Sequence, residues 1–158
     1  MPTLKEASRD FLAQKKIAVA GVSRTPAGHG ANVVYTGLRK AGYEVFAVNP
    51  HADQVEGDLC YRDLKSIPGG VDAVVVATPP EVSADVVREC AEQGIARVWL
   101  HRSFGGGSVS EEAASLGREH GIRVIAGGCP MMFLQGTDIG HRCMRWVLNL
   151  TGGLPKEA

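Results

Sequence analysis

Residues 17–42 constrain the fold more than any other stretch. Ile17-Ala18-Val19-Ala20-Gly21 is a short apolar run of the kind buried on both faces of a sheet. Val22-Ser23-Arg24-Thr25-Pro26-Ala27-Gly28-His29-Gly30 follows, and its Gly, Ser and Pro are loop chemistry. From Ala31 to Ala41, Val34, Leu38 and Ala41 share one helical face, and Gly42 stands where a helix C-cap belongs. Strand, glycine-containing loop and helix in that order make a turn suited to an anion. The unpaired N–H groups of a helix start and the helix dipole both favour negative charge there. The stretch points to a nucleotide-type ligand.

The remaining elements repeat this alternation. Thr3 and Glu6 have capping-box spacing before a leading helix over residues 4–14, with Leu4, Ala7 and Phe11 on one face. A first strand at Lys16–Gly21 and a second at Glu44–Val48 follow, the second closed by Asn49-Pro50 because proline brings no N–H to the ladder. Residues 49–70 are irregular, with a helical turn at 61–64. A third strand spans 71–77 and runs into Thr78-Pro79-Pro80-Glu81, again a capping-box spacing with Pro79 at the first helical position. In that helix Val82, Val86, Val87 and Cys90 form the buried face, and Asp85, Glu89 and Glu92 point away.

The fourth strand is 95–100, and a helix capped by Ser108 or Ser110 runs to about His120. The fifth strand is 122–126. Met131-Met132-Phe133-Leu134 packs under a last helix over 138–150, whose stripe is Ile139, Cys143, Trp146 and Leu150. Five apolar strands alternating with helices predict an α/β fold, a single doubly wound parallel five-stranded sheet of Rossmann-like order 3-2-1-4-5. One domain fills residues 1–150 and residues 151–158 form a frayed tail. The switch point then falls between the first and fourth strands. The loops at 22–30, 49–51, 78–80 and 101–105 converge on one crevice at the carboxyl ends of the strands.

Charge narrows the partners. Seventeen basic residues balance seventeen acidic ones, so the chain offers no general attraction for nucleic acid and an anion site must be built locally. No apolar run reaches the ~18 residues of a membrane span, and the charged N-terminus lacks a signal peptide's apolar stretch. A cytoplasmic location is expected. Cys60, Cys90, Cys129 and Cys143 form no Cys-x-x-Cys pair and no zinc spacing, which reads as reduced, mostly buried thiols.

The loop glycines fall short of the dinucleotide fingerprint, which needs a glycine where Ser23 stands. The acidic ribose clamp that NAD sites carry after the second strand is replaced by Val48-Asn49-Pro50. Both departures disfavour a small NAD(P)-dependent oxidoreductase, the rival reading, although Asn49 could still bond a ribose or adenine edge. Neither a P-loop nor a Gly-x-Ser-x-Gly motif occurs.

Gly21-Val22-Ser23, Gly42-Tyr43-Glu44-Val45 leading into Val48-Asn49-Pro50, and Thr78-Pro79-Pro80 together resemble the small CoA-binding proteins of Rossmann-like fold. These are similar to the N-terminal domain of the succinyl-CoA synthetase α subunit. Val98-Trp99-Leu100 and Cys129-Pro130 belong to the same pattern, which covers about residues 10–130. The resemblance implies CoA or an acyl-CoA as ligand, with its diphosphate on the 22–30 loop. The adenosine would lie near residues 48–51 and the pantetheine arm would pass residues 78–80. It also implies a binding module rather than a catalyst, since phosphoryl transfer in the synthetases rests on further domains. A homo-oligomer, or docking on a larger acyl-CoA enzyme, is compatible with that role. Where the family often has Gln followed closely by Gly after the fourth strand, this chain has His101-Arg102-Ser103-Phe104 and three glycines.

Each residue in the crevice carries two readings. Ser23 is either a phosphate donor or a residue that tightens the turn. Arg24 and His29, the basic side chains of that loop, are either anion contacts or solvated charges. Gly28 and Gly30 either admit close approach of phosphate or only permit the backbone path. Asn49 is either a ligand contact or a strand-ending turn residue, and Pro79 and Pro80 also fit helix initiation alone. His101 and Arg102 are tied by motif to no nucleophile or carboxylate.

Overall fold

The computed structural model describes residues 2–25, 29–102, 107–134 and 139–155. Its strands are β1 (Lys16–Ala20), β2 (Glu44–Val48), β3 (Gln54–Val55), β4 (Asp58–Tyr61), β5 (Ala73–Val76), β6 (Arg97–Leu100) and β7 (Arg123–Ala126). The helices are α1 (Leu4–Leu12), α2 (Gly30–Lys40), α3 (Pro80–Glu92), α4 (Glu111–Glu119) and α5 (Ile139–Thr151). All seven strands join one sheet in the order β3-β4-β2-β1-β5-β6-β7. Its pairs are parallel except β3 with β4.

The five strands read from the sequence are present, but the order 3-2-1-4-5 is not. β1 lies between β2 and β5, so the third-read strand sits on the far side of the first. The reason is the β3–β4 hairpin, which takes the position beside β2. The chain then returns over the opposite face from α2, where Leu64 and Ile67 pack in the same cluster as residues of α3 and α4. Leaving β1 over one face and returning over the other keeps both crossovers right-handed. The switch point is therefore between β1 and β5, not between the first and fourth strands.

The hairpin turns through Glu56-Gly57, with φ of 51° and 79°. Positive φ at both central residues is the I′ geometry that matches strand twist. It is tied to α2 by three side chains. The Tyr35 hydroxyl donates to Asp58 at 2.7 Å, Arg39 donates to Asp58 and to the Glu56 carbonyl, and Asn32 donates to the Glu56 carboxylate at 2.9 Å.

Strand alternation splits the core into two layers. Ile17 and Val19 join Phe11, Val34, Leu38 and Trp99 on one face, and Ala18 and Ala20 join Val74, Val87 and Val98 on the other. Phe11 meets Trp99 edge-to-face at 5.3 Å. Both bonds of the Thr3–Glu6 capping box are made. Asp10 of α1 accepts from Arg97 and Arg123, and the Arg97 hydrogen bond foremost holds its carboxyl below the usual range.

Two predicted faces turn out differently. In α5 it is Leu148 that is buried, while Cys143, Trp146 and Leu150 are exposed, the last two by 66% and 65%. A helical period marks an apolar stripe without fixing which neighbour it meets. In α3 the buried residues are Ser83, Ala84, Val87 and Cys90, whereas Val86 is half-buried against the second core layer and Val82 is exposed. In the expected tail, Leu154 packs against the first core layer. Among the described residues, no helix is long and apolar enough to cross a membrane.

Candidate functional site

The site is built where β1 and β5 part company. β1 ends at Gly21, whose N–H donates to the Val48 carbonyl at 2.9 Å. Its φ is 101°, and a Cβ there would lie 2.5 Å from the Ala77 carbonyl oxygen. Only glycine passes between the ends of β2 and β5 in this way. Val22 is then fully buried, and its carbonyl accepts from the Asn49 side-chain amide at 2.9 Å. The Asn49 side-chain oxygen in turn accepts from the His51 N–H at 2.8 Å. Asn49 thus braces the loop after β2 against the loop after β1.

Asn32, which sequence reasoning passed over, holds the next residue. Nearly fully buried in the first turn of α2, it accepts from the Ser23 N–H at 2.8 Å and donates to the Ser23 carbonyl at 2.9 Å. The Ser23 hydroxyl accepts from the Thr25 N–H at 3.1 Å, so it does tighten the turn. A polar residue at the start of an otherwise apolar helix face was the available signal.

Helix α2 opens without a side-chain cap. His29 is its N-cap in extended conformation and makes no capping bond, and Gly30 and Ala31 line the cleft. The imidazole of His101 lies over this helix start, where a Cβ on Gly30 would meet its Cε1 at 3.1 Å. Burial, and secondarily the nearby His141, push the His101 pKa down to about 4. The ring is therefore neutral near pH 7.

Helix α3 also opens without a side-chain cap. Pro79 is its N-cap and Pro80 its first residue, so the register is one later than predicted. The expected Thr78–Glu81 capping box does not form, and the Thr78 hydroxyl lies 3.2 Å from that of Ser83 instead. With two prolines next in line, the first turn has few N–H groups to offer Thr78. The Ser108 hydroxyl donates to the Thr78 carbonyl at 2.5 Å, and Ser83 donates to the Ser108 carbonyl at 2.8 Å. These bonds join the segments after β5 and β6.

These segments enclose a cleft of about 840 Å³ along the carboxyl edge. Of the residues singled out from sequence, Gly21, Ser23, His29, Gly30, Val48, Asn49, Pro50, Thr78 and Pro79 line it. Val22 lies behind the lining. Arg24 and Pro80 are exposed and outside it, and Gly28 falls outside the described residues.

The cleft also takes in Arg62, Val82, Asp85, Val86, Glu89 and Ser108. Val82 and Val86 had been read as core because their spacing matches that of a buried face. Asp85 pairs with Arg88 at 2.6 Å, and Glu89 accepts from the Leu64 and Lys65 N–H groups at 2.8 and 3.1 Å. No cluster of metal-ligating side chains occurs among the described residues. An open helix start, an apolar strip on α3 and an arginine in the lining suit a partly apolar anion.

A family model described as "CoA binding domain" matches residues 15–135. The chain is 32% identical over 125 residues to an ADP-forming acetate–CoA ligase II of Archaeoglobus fulgidus, covering 74% of this chain and 18% of the ligase. It is 32% identical over 128 residues to the uncharacterized protein YneT of Bacillus subtilis, covering 81% of this chain and 91% of that protein. A hypothetical protein from Pyrococcus horikoshii has a solved structure that superposes with a TM-score of 0.74 at 29% identity, over 83% of this chain and 92% of the other. The chain spans about a fifth of the ligase's length, and nearly all of YneT's.

Proposed function

The chain belongs to the CoA-binding domain family, and from that premise we propose that it binds CoA or an acyl-CoA in the carboxyl-edge cleft as a cytoplasmic binding module. The observation that carries this reading is the uncapped start of α2, with Gly21, Ser23, Gly30 and Ala31 lining the cleft beside it. The diphosphate belongs there, against first-turn N–H groups and the positive end of the dipole. The adenosine lies toward Pro50 and the Val82–Val86 strip of α3, and the pantetheine arm passes Thr78 and Pro79. CoA fits the volume, which is in the range of cofactor sites.

The polar groups near the arm favour binding over catalysis. The Ser108 and Ser83 hydroxyls donate to backbone carbonyls, so neither is paired with His101 as a nucleophile is with its base. Whether the ligand is passed to a larger CoA-handling enzyme is a matter of partner, not of this site.

Calorimetry with CoA and NAD tests the assignment. CoA is expected to bind more tightly than NAD, because Asn49 replaces the acidic ribose clamp and its side chain is already engaged. NAD binding more tightly than CoA would reject it.

A further inference from the structure

Arg62 stands apart from the other charges of the cleft. It follows directly after β4, where Tyr61 pairs with Val48 and accepts from the Asn49 N–H at 2.9 Å. Two residues later, the Leu64 and Lys65 N–H groups are held by Glu89 of α3. The segment is thus fixed on both sides, between the end of β2 and α3, and Arg62 lines the cleft there.

Among the described residues no ion pair neutralises its charge: the pairs there join Arg39–Asp58, Arg88–Asp85, Arg97–Asp10 and Arg123–Asp10, and none includes Arg62. The two carboxylates of the described lining are engaged, Asp85 by Arg88 and Glu89 by two backbone N–H groups. Apart from Arg62, the described lining carries no other Arg or Lys, and its remaining basic side chains are histidines. A guanidinium presents a planar fork suited to a phosphate dianion.

We infer that Arg62 reads the 3′-phosphate of the bound nucleotide and so makes the site selective for CoA over its dephosphorylated form. This rests on the reading of the cleft as a CoA site with adenosine beside Pro50. On that reading the diphosphate is held by backbone N–H groups at α2. That leaves the ribose phosphate as the anionic group within reach of β4. The division of labour is therefore spatial: backbone N–H groups for the group shared by many nucleotides, one arginine for the group that marks CoA.

The test is calorimetry with CoA and dephospho-CoA on wild type, Arg62→Ala, Arg62→Lys and Arg118→Ala, the last an exposed arginine of α4 outside the cleft. Wild type is expected to prefer CoA by about tenfold, the lower end for a charged hydrogen bond because Arg62 is exposed. Arg62→Ala is expected to bring the ratio near one with dephospho-CoA affinity unchanged. Arg62→Lys should keep part of the preference, and Arg118→Ala all of it. Raising salt should shrink the wild-type ratio and leave that of Arg62→Ala alone. A wild type that binds both ligands equally, a ratio that survives Arg62→Ala, or an equal loss for both ligands would overturn the inference while sparing the CoA site. Binding of neither ligand by wild type would reject the site itself and the inference with it.

Discussion

Helices α1 and α4 close their own amino ends, whereas α2 and α3 leave theirs to something else. Thr3 and Glu6 cap α1 reciprocally, and Ser110 accepts from the Ala113 N–H at the start of α4. Neither helix start lines the cleft. α2 and α3 have no side-chain cap and both open onto it, but the prolines at 79 and 80 leave α3 few N–H groups, so the open donors are those of α2. A helix start carries N–H groups that must find a partner. Where the partner is part of the chain, the helix is scaffold; where none is supplied beside a cleft, an anionic ligand can fill the place. On the proposed function, the contrast of α1 and α4 with α2 separates the parts that hold the fold from the part that holds the diphosphate.

The largest effect expected from this contrast is a pH dependence centred on the open end of α2. His101 lies over that end, and its pKa falls from about 6.5 in the unfolded chain to about 4. The unfolded chain therefore binds the proton more readily as pH drops. The stability tied to the neutral ring is complete above pH 6.5 and is lost between there and pH 4, a change of about 3 kcal/mol. Asp10 and Asp58, whose pKa values are lowered, lose their contribution at still lower pH. Denaturant unfolding of wild type and His101→Gln across pH 7 to 4 measures this. The wild-type curve should fall more steeply in that window, and parallel curves would contradict the account.

Second comes a substitution that turns an open helix into a closed one. His29→Asp places a good N-cap acceptor on α2 and a negative charge where the diphosphate is expected. Stability should rise by about 0.5–1 kcal/mol, while CoA affinity falls by roughly ten- to a hundredfold. Thermal unfolding and calorimetry on the same variant read the two directions. Equal or tighter CoA binding would erase the distinction between the helix pairs.

The smallest effect belongs to the closed helices. Thr3→Ala and Ser110→Ala should each cost about 1 kcal/mol of stability and leave CoA affinity within experimental scatter. A loss of affinity in either variant would show that capping and binding are not separate functions.

The closed helices were also the more legible in sequence. The Thr3–Glu6 box and the Ser110 cap can be read from spacing because cap and helix are neighbours in the chain. The open starts mislead such reading: Thr78 and Glu81 have the right spacing, yet the prolines between them send the Thr78 hydroxyl to Ser83. The five long strands were equally legible as apolar runs, but their order was not. It is set by the β3–β4 hairpin, whose strands are two and four residues long and whose turn uses Glu56-Gly57 in place of the usual Asn-Gly.

The described parts of the loops after β1, β2, β5 and β6 share one edge because every parallel strand delivers its following loop there, whatever the order. Arg62, Val82 and Val86 escaped notice for opposite reasons. The arginine sat in a stretch without periodicity, and the valines sat in one whose periodicity pointed to the core. Asn32 was passed over although it holds Ser23, nine residues away, because no motif ties it to that loop; its bond to Glu56 in the hairpin spans twenty-four residues. Arg24 drew attention as a loop cation; it is exposed and lies outside the described lining of the cleft.

The most direct test of the central claim is to follow backbone amide signals by nuclear magnetic resonance while CoA is added. The account predicts that the largest shifts fall on Gly21, Ser23, Gly30 and Ala31, at the open start of α2, and that the amides of residues 4–6 and 111–113, at the closed starts of α1 and α4, stay in place. Shifts concentrated on those closed starts or on α5, with the start of α2 unmoved, would contradict it.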